Sequence, residues 1–148
     1  MELVQILAAA RQVVVESPSL IDAAAAALDA KGRSIPKDVL DAIKTIQLKQ
    51  WIFLRDTSKY SVFLDPDGNA AYAVLGLTDP LRNIVGGSAV AFTTGVVAYE
   101  GHYVCDGIIG KIVWLGPNMK KTFNATFSAL RNTGGFHTSP PNTDVMTL

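Results

Sequence analysis

The sequence predicts an α+β domain: N-terminal helices, a strongly curved antiparallel five-stranded meander (a partial barrel), and a C-terminal helix packed on it. Three observations carry this prediction. Apolar residues recur at helical spacing over residues 1–50, follow a strand pattern over 51–115, and return to helical spacing over 117–132. Helices and strands are segregated rather than alternating, which argues against a parallel α/β sheet. Gly107 and Gly110 interrupt the last strand, where a bulge or sharp bend curls the sheet. The chain divides into a helical segment (1–50), a sheet with its C-terminal helix (51–132) and an extended tail (133–148), all within one compact domain.

The first helix is expected over 2–15, with Leu3, Leu7, Ala10 and Val14 at helical spacing. Ser17-Pro18 stops it, because proline disfavours a helical residue before it. Ser19 is read as the cap of a second helix over 20–31, which ends at Gly32, a left-handed terminator. Its run from Ala23 to Ala27 fits either close helix packing at a dimer seam or simple helix propensity. A third helix starts near Pro36. Val39, Leu40, Ile43 and Ile46 form its apolar face, and it ends before Trp51.

Five strands follow, over 51–55, 60–64, 70–77, 88–99 and 103–115. Asp65-Pro66-Asp67-Gly68-Asn69 is a turn, with proline preset for one position and glycine for positive φ. Thr78-Asp79-Pro80 opens a loop to Asn83. Glu100-Gly101-His102 is a tight hairpin connection. Gly116-Pro117-Asn118 starts the last helix, whose Met119, Phe123, Phe127 and Leu130 form one stripe that covers the sheet. Gly134-Gly135 ends it.

Composition narrows the function. Thirteen basic residues balance thirteen acidic ones, which argues against a nucleic-acid partner held by phosphate neutralisation. No apolar run reaches the length of a membrane span, so no membrane partner is expected. One cysteine forms no internal disulfide, and the start Met1-Glu2-Leu3-Val4 lacks a basic n-region. A cytoplasmic location is the expectation. Hydrophobic residues make up 49% and charged residues 18%, below the usual charged fraction of about 25%. So little charge on a small domain points to a homo-oligomer.

The densest chemistry lies in Tyr99-Glu100-Gly101-His102-Tyr103-Val104-Cys105-Asp106-Gly107. Glu100, His102, Cys105, Asp106 and Lys111 are therefore the candidate ligand-binding residues; no catalytic or metal set is assigned, and no cofactor. Cys105 and His102, as thiol and base, sit three residues apart on one strand and so point to opposite faces unless a bulge intervenes. Glu100, His102 and Asp106, with His137 distant, lack a recognised ligand spacing. Asp65-x-Asp67-x-Asn69 copies the first ligands of a calcium loop, but Ala70 and Gly76 stand where glycine and glutamate are required. Gly107-Ile108-Ile109-Gly110-Lys111 fails as a phosphate loop, having two residues between its glycines. It and Ile84-Val85-Gly86-Gly87-Ser88 are better read as room for sheet curvature.

Two functions remain open at this point. One is a non-enzymatic binding or interaction domain that forms homo-oligomers, with an apolar pocket in the curved sheet for a small apolar ligand, or a protein partner. The other is a small enzyme or metal-binding protein with a polar site around residues 100–106.

Overall fold

A computed structural model describes residues 3–76 and 89–141. The expected loop over 78–83, the glycine-rich stretch over 84–88 and the end of the tail lie outside the described residues. The elements are α1 (Leu3–Glu16), α2 (Ser19–Ala30), α3 (Lys37–Lys44), β1 (Gln47–Asp56), β2 (Ser61–Leu64), β3 (Ala71–Leu75), β4 (Val90–Tyr99), β5 (His102–Cys105), β6 (Gly110–Trp114), α4 (Pro117–Thr133) and β7 (Phe136–His137).

The α+β class and the curved sheet with a packed C-terminal helix are as expected. The curvature goes further, because the sheet closes. Antiparallel pairing joins β1 to both β2 and β4, β2 to β3, and β4 to β5, while β3 and β5 pair in parallel. The ring β1-β2-β3-β5-β4 is thus a mixed five-stranded barrel, and the spatial order β4-β1-β2-β3 is a Greek key. Closure depends on the length of β1. Its residues 47–53 pair with β4, and its residues 52–56 pair with β2 across a register shift between Phe53 and Arg55 that bends the strand.

Alternation along the strands makes two apolar layers. Trp51, Phe53, Phe63, Val74, Val90, Phe92, Val96, Tyr103 and Cys105 cluster as the barrel interior. Phe53 stacks on Phe92 at 6.0 Å, and Phe63 meets Phe92 edge-on at 5.6 Å. These side chains line the inner face of the curved sheet. The intervening residues Ile52, Leu54, Val62, Leu64, Ala71 and Ala91 face out, where Phe127 of α4 covers them with Phe123 and Leu130 beside it. Met119 leaves the expected stripe and is exposed. The tail contributes β7, which pairs in parallel with β3 through Ala71↔Phe136 and Tyr72↔His137.

The turns follow their sequences. Asp65 accepts from the Asp67 N–H at 2.9 Å, and Gly68 takes φ 73. Glu100 and Gly101 both have positive φ (48 and 78), as a two-residue hairpin turn of this hand requires. α2 ends in a Schellman motif: Arg33 N–H donates to the Leu28 carbonyl and Gly32 N–H to that of Asp29. At its other end Pro18 is the capping residue, Ser19 is already helical, and no side chain caps the helix.

The helices sit differently from the sequence pattern. Thr45, just after α3, accepts the Ala98 N–H at 2.7 Å and so holds α3 on β4. Among the described side chains of α1 the half-buried ones are Ala8, Arg11, Val14 and Val15. Leu3 and Leu7 of the expected apolar stripe are exposed, as are Ile6 and Val13.

Candidate functional site

The expected fifth strand is two strands. β5 runs along β4 at residues 96–99 and β6 along the same side at 90–93. Between them the chain leaves the sheet at Asp106, and Gly107 takes φ 78. Asp106 organises this break. Its N–H donates to the Gly95 carbonyl at 2.9 Å, and its Oδ1 accepts the Ile108 N–H at 2.9 Å. That pairing of a side chain with its own backbone two residues on is an Asx turn.

Three other side chains converge there. Arg11 of α1 brings Nη1 to 3.2 and 3.1 Å from the two Asp106 oxygens and to 2.7 Å from the Ile108 carbonyl. The pair is largely withdrawn from water, with side chains 10% and 18% exposed. Thr94 Oγ1 lies 3.0 Å from both Asp106 Oδ1 and the Ile108 carbonyl, and 3.4 Å from Cys105 Sγ. Gly107 N–H also points to the sulfur at 3.4 Å. Burial pushes the Cys105 thiol up, against the lowering effect of these two hydrogen bonds. At neutral pH it is a protonated core group rather than an attacking thiolate.

Gly95 completes the junction. A methyl group there would collide with Asp106 Oδ2 and lie 2.7 Å from Ile46 Cδ1. The close approach of α3's end and of the Asp106 carboxylate to β4 requires a residue without a side chain.

The five candidate residues are therefore distributed. Glu100 lies in the exposed turn, and His102 is exposed at the start of β5. Cys105 is in the barrel interior, Asp106 is in the junction, and Lys111 is exposed at the start of β6 with φ 53. Only Cys105 and Asp106 share a hydrogen-bonded cluster, through Thr94. Among the described residues no three His, Cys, Asp or Glu side chains gather as a metal would require. His137 instead packs its ring 5.3 Å from that of Tyr72.

No family model, curated protein or solved structure matches the chain.

A groove of about 510 Å³ runs beside the β4–β5 hairpin, lined by Ala98, Tyr99, Glu100, Gly101 and the tail residues Ser139, Pro140 and Pro141. Tyr99 donates its hydroxyl to Asp38 at 3.2 Å. That bond and the nearby Asp38 and Glu100 charges push the phenol up. Elsewhere the surface carries several exposed apolar side chains. Ile112, Val113 and Trp114 of β6 are exposed by 43%, 51% and 58%, as are Leu3, Ile6, Leu7 and Val13 of α1 and Leu20 of α2. Among the described residues no helix is long and apolar enough to cross a membrane.

Arg11, Thr94 and Gly95 are not among the candidate residues that the sequence offers. The one signal for Arg11 was its place four residues after Leu7 and three before Val14, a charge within an apolar stripe.

Proposed function

We propose that this chain is an interaction domain that self-associates through its exposed apolar surface. One observation carries the reading: Ile112, Val113 and Trp114 stand open to solvent on one short strand, while large apolar side chains cluster in the barrel interior. Single exposed apolar residues are ordinary, but several grouped together leave the larger apolar surface that contact sites show. The balanced charge supports this, since two copies carry no net repulsion. The Arg11–Asp106 junction fits a structural part in the same reading, fastening α1 beside the break that leads into β6. Light scattering on the full chain tests it. Mass rises with concentration for the wild type and stays at one chain for Trp114→Ser; a wild type that stays at one chain throughout defeats the proposal.

A second reading rests on the groove at residues 98–101. Glu100 and the Tyr99 ring, with Asp38 behind it, favour a small cationic ligand there over an anion. Titration with alkylammonium ions, followed by Tyr99 ring shifts in NMR spectra, tests this. Shifts that vanish in Glu100→Gln support it, and unmoved Tyr99 signals remove it.

A further inference from the structure

We infer that residues 136–141 form a strap over the groove, hinged at Gly134-Gly135, and that a small cation seated in the groove holds the strap closed. The inference rests on the cation reading of the groove and specifies how that site is assembled and controlled.

The groove has two walls of different make. Ala98, Tyr99, Glu100 and Gly101 belong to the β4–β5 hairpin, and Ser139, Pro140 and Pro141 to the tail. The hairpin wall is fixed. β4 pairs with β5 up to Tyr99↔His102. Thr45 accepts the Ala98 N–H at 2.7 Å, and Asp38 accepts the Tyr99 hydroxyl at 3.2 Å, so the hairpin is also tied to α3 and the residue after it.

Among the described residues the tail wall hangs on less. β7 is two residues long, and so short a ladder belongs to the low-stability end of a fold. Beside it the Ala71 N–H donates to the Gly135 carbonyl at 2.9 Å. The side-chain anchor is Phe136, half-buried, with its ring 5.0 Å from that of Phe127 and 5.9 Å from that of Tyr60. Pro140 and Pro141 have no N–H with which to lengthen the ladder, and their fixed φ stiffens the end of the strap. On the other side of the anchor Gly134 ends α4 at φ 82, with Gly135 next to it. Paired glycines supply the backbone freedom that a hinge uses. A stiff end, a short anchor and a glycine hinge make a segment that docks and undocks as a unit.

Glu100 brings the charge and Tyr99 the ring face for a cation, and the prolines supply the remaining wall. With the strap away, only the hairpin wall is left. A cation that touches both walls therefore binds the docked tail more tightly than the undocked one, and it favours docking by the same factor.

NMR titration of the full chain with tetramethylammonium tests the inference. Tyr99 ring shifts report occupancy of the groove. Exchange of the Ala71 amide reports docking, because its partner is the Gly135 carbonyl. Without the cation, Ala71 exchanges faster than the amides of the β1–β4 ladder, since the tail opens while the barrel stays closed. A cation concentration about 100 times its Kd slows Ala71 exchange about hundredfold. Pro140→Gly combined with Pro141→Gly loosens the wall, leaves the Phe136 anchor in place, and weakens binding about tenfold. Tyr99 shifts with unchanged Ala71 exchange, or a double variant that binds as tightly as the wild type, would show that the cation sits on the hairpin wall alone; the strap is then wrong and the cation site stands. Tyr99 signals that never move overturn the cation site and the strap together.

Discussion

Arg11 Nη1 lies 3.1 Å from Asp106 Oδ2, joining the first helix to the gap between β5 and β6 across 95 positions of chain. The same nitrogen also holds the Ile108 carbonyl. One contact thus fixes both the helix and the turn that leads into the exposed strand.

Removing either charge leaves the other buried without its partner. Arg11→Ala is expected to cost about 3 kcal/mol of unfolding free energy. Asp106→Asn keeps an acceptor for the Ile108 N–H but loses the ion pair, a cost of about 2 kcal/mol. Because the two residues touch, the double variant costs less than the sum of the single ones. Urea unfolding of the four proteins gives the coupling, and additive losses would show that the pair does not act as a unit.

Gly95→Ala forces the Asp106 carboxylate and Ile46 off β4. Overpacking of this kind costs about 2 kcal/mol. Gly101→Ala, where a methyl meets nothing within 4 Å and only the positive φ is strained, costs about 1 kcal/mol. Denaturation midpoints rank the two. Equal loss at both positions would mean that the junction tolerates displacement of Asp106.

Much of the fold was legible because its signals are local. The Asp65–Asn69 turn, the Glu100-Gly101 hairpin and the terminators Gly32 and Gly134 each depend on residues a few positions apart. Gly107 and Gly110 marked where the last strand divides. The barrel's closure was not legible, because the β1–β4 pairing and the parallel β3–β5 pair join distant segments and leave no periodic trace. The site was legible only in part. Asp106 stood out as an acid beside a glycine. Arg11 resembled an ordinary charge on a helix, and Thr94 an ordinary strand hydroxyl, until the tertiary structure brought them together. The α1 stripe misled because apolar periodicity records which face avoids water, not whether this chain or another covers it.

Asp65 gives a pH dependence. Burial pushes its carboxyl up, but the Lys49 ammonium at 2.6 Å and the Asp67 N–H outweigh this and hold it below the ordinary carboxylate value. The unfolded chain therefore binds the proton first as pH falls, so this contribution is present above pH ~4 and is lost as pH drops through the folded value. Stability of Asp65→Asn, measured by thermal unfolding between neutral and acid pH, falls less steeply in that window. An unchanged acid slope would contradict the assignment.

Cys105 is closed to reagents in the folded state. Its side chain is in the barrel interior, and burial raises its thiol. Alkylation by iodoacetamide at neutral pH is expected to be slow in the native protein and rapid in denaturant. Fast native labelling would place the sulfur at the surface and revive it as a nucleophile.

The central claim is that the exposed apolar residues of β6 serve assembly. Sedimentation velocity of the wild-type chain over a wide concentration range tests it most directly. The account predicts a boundary that moves faster as concentration rises, toward the value of two chains. A single boundary at the value of one chain, at every concentration, would contradict it.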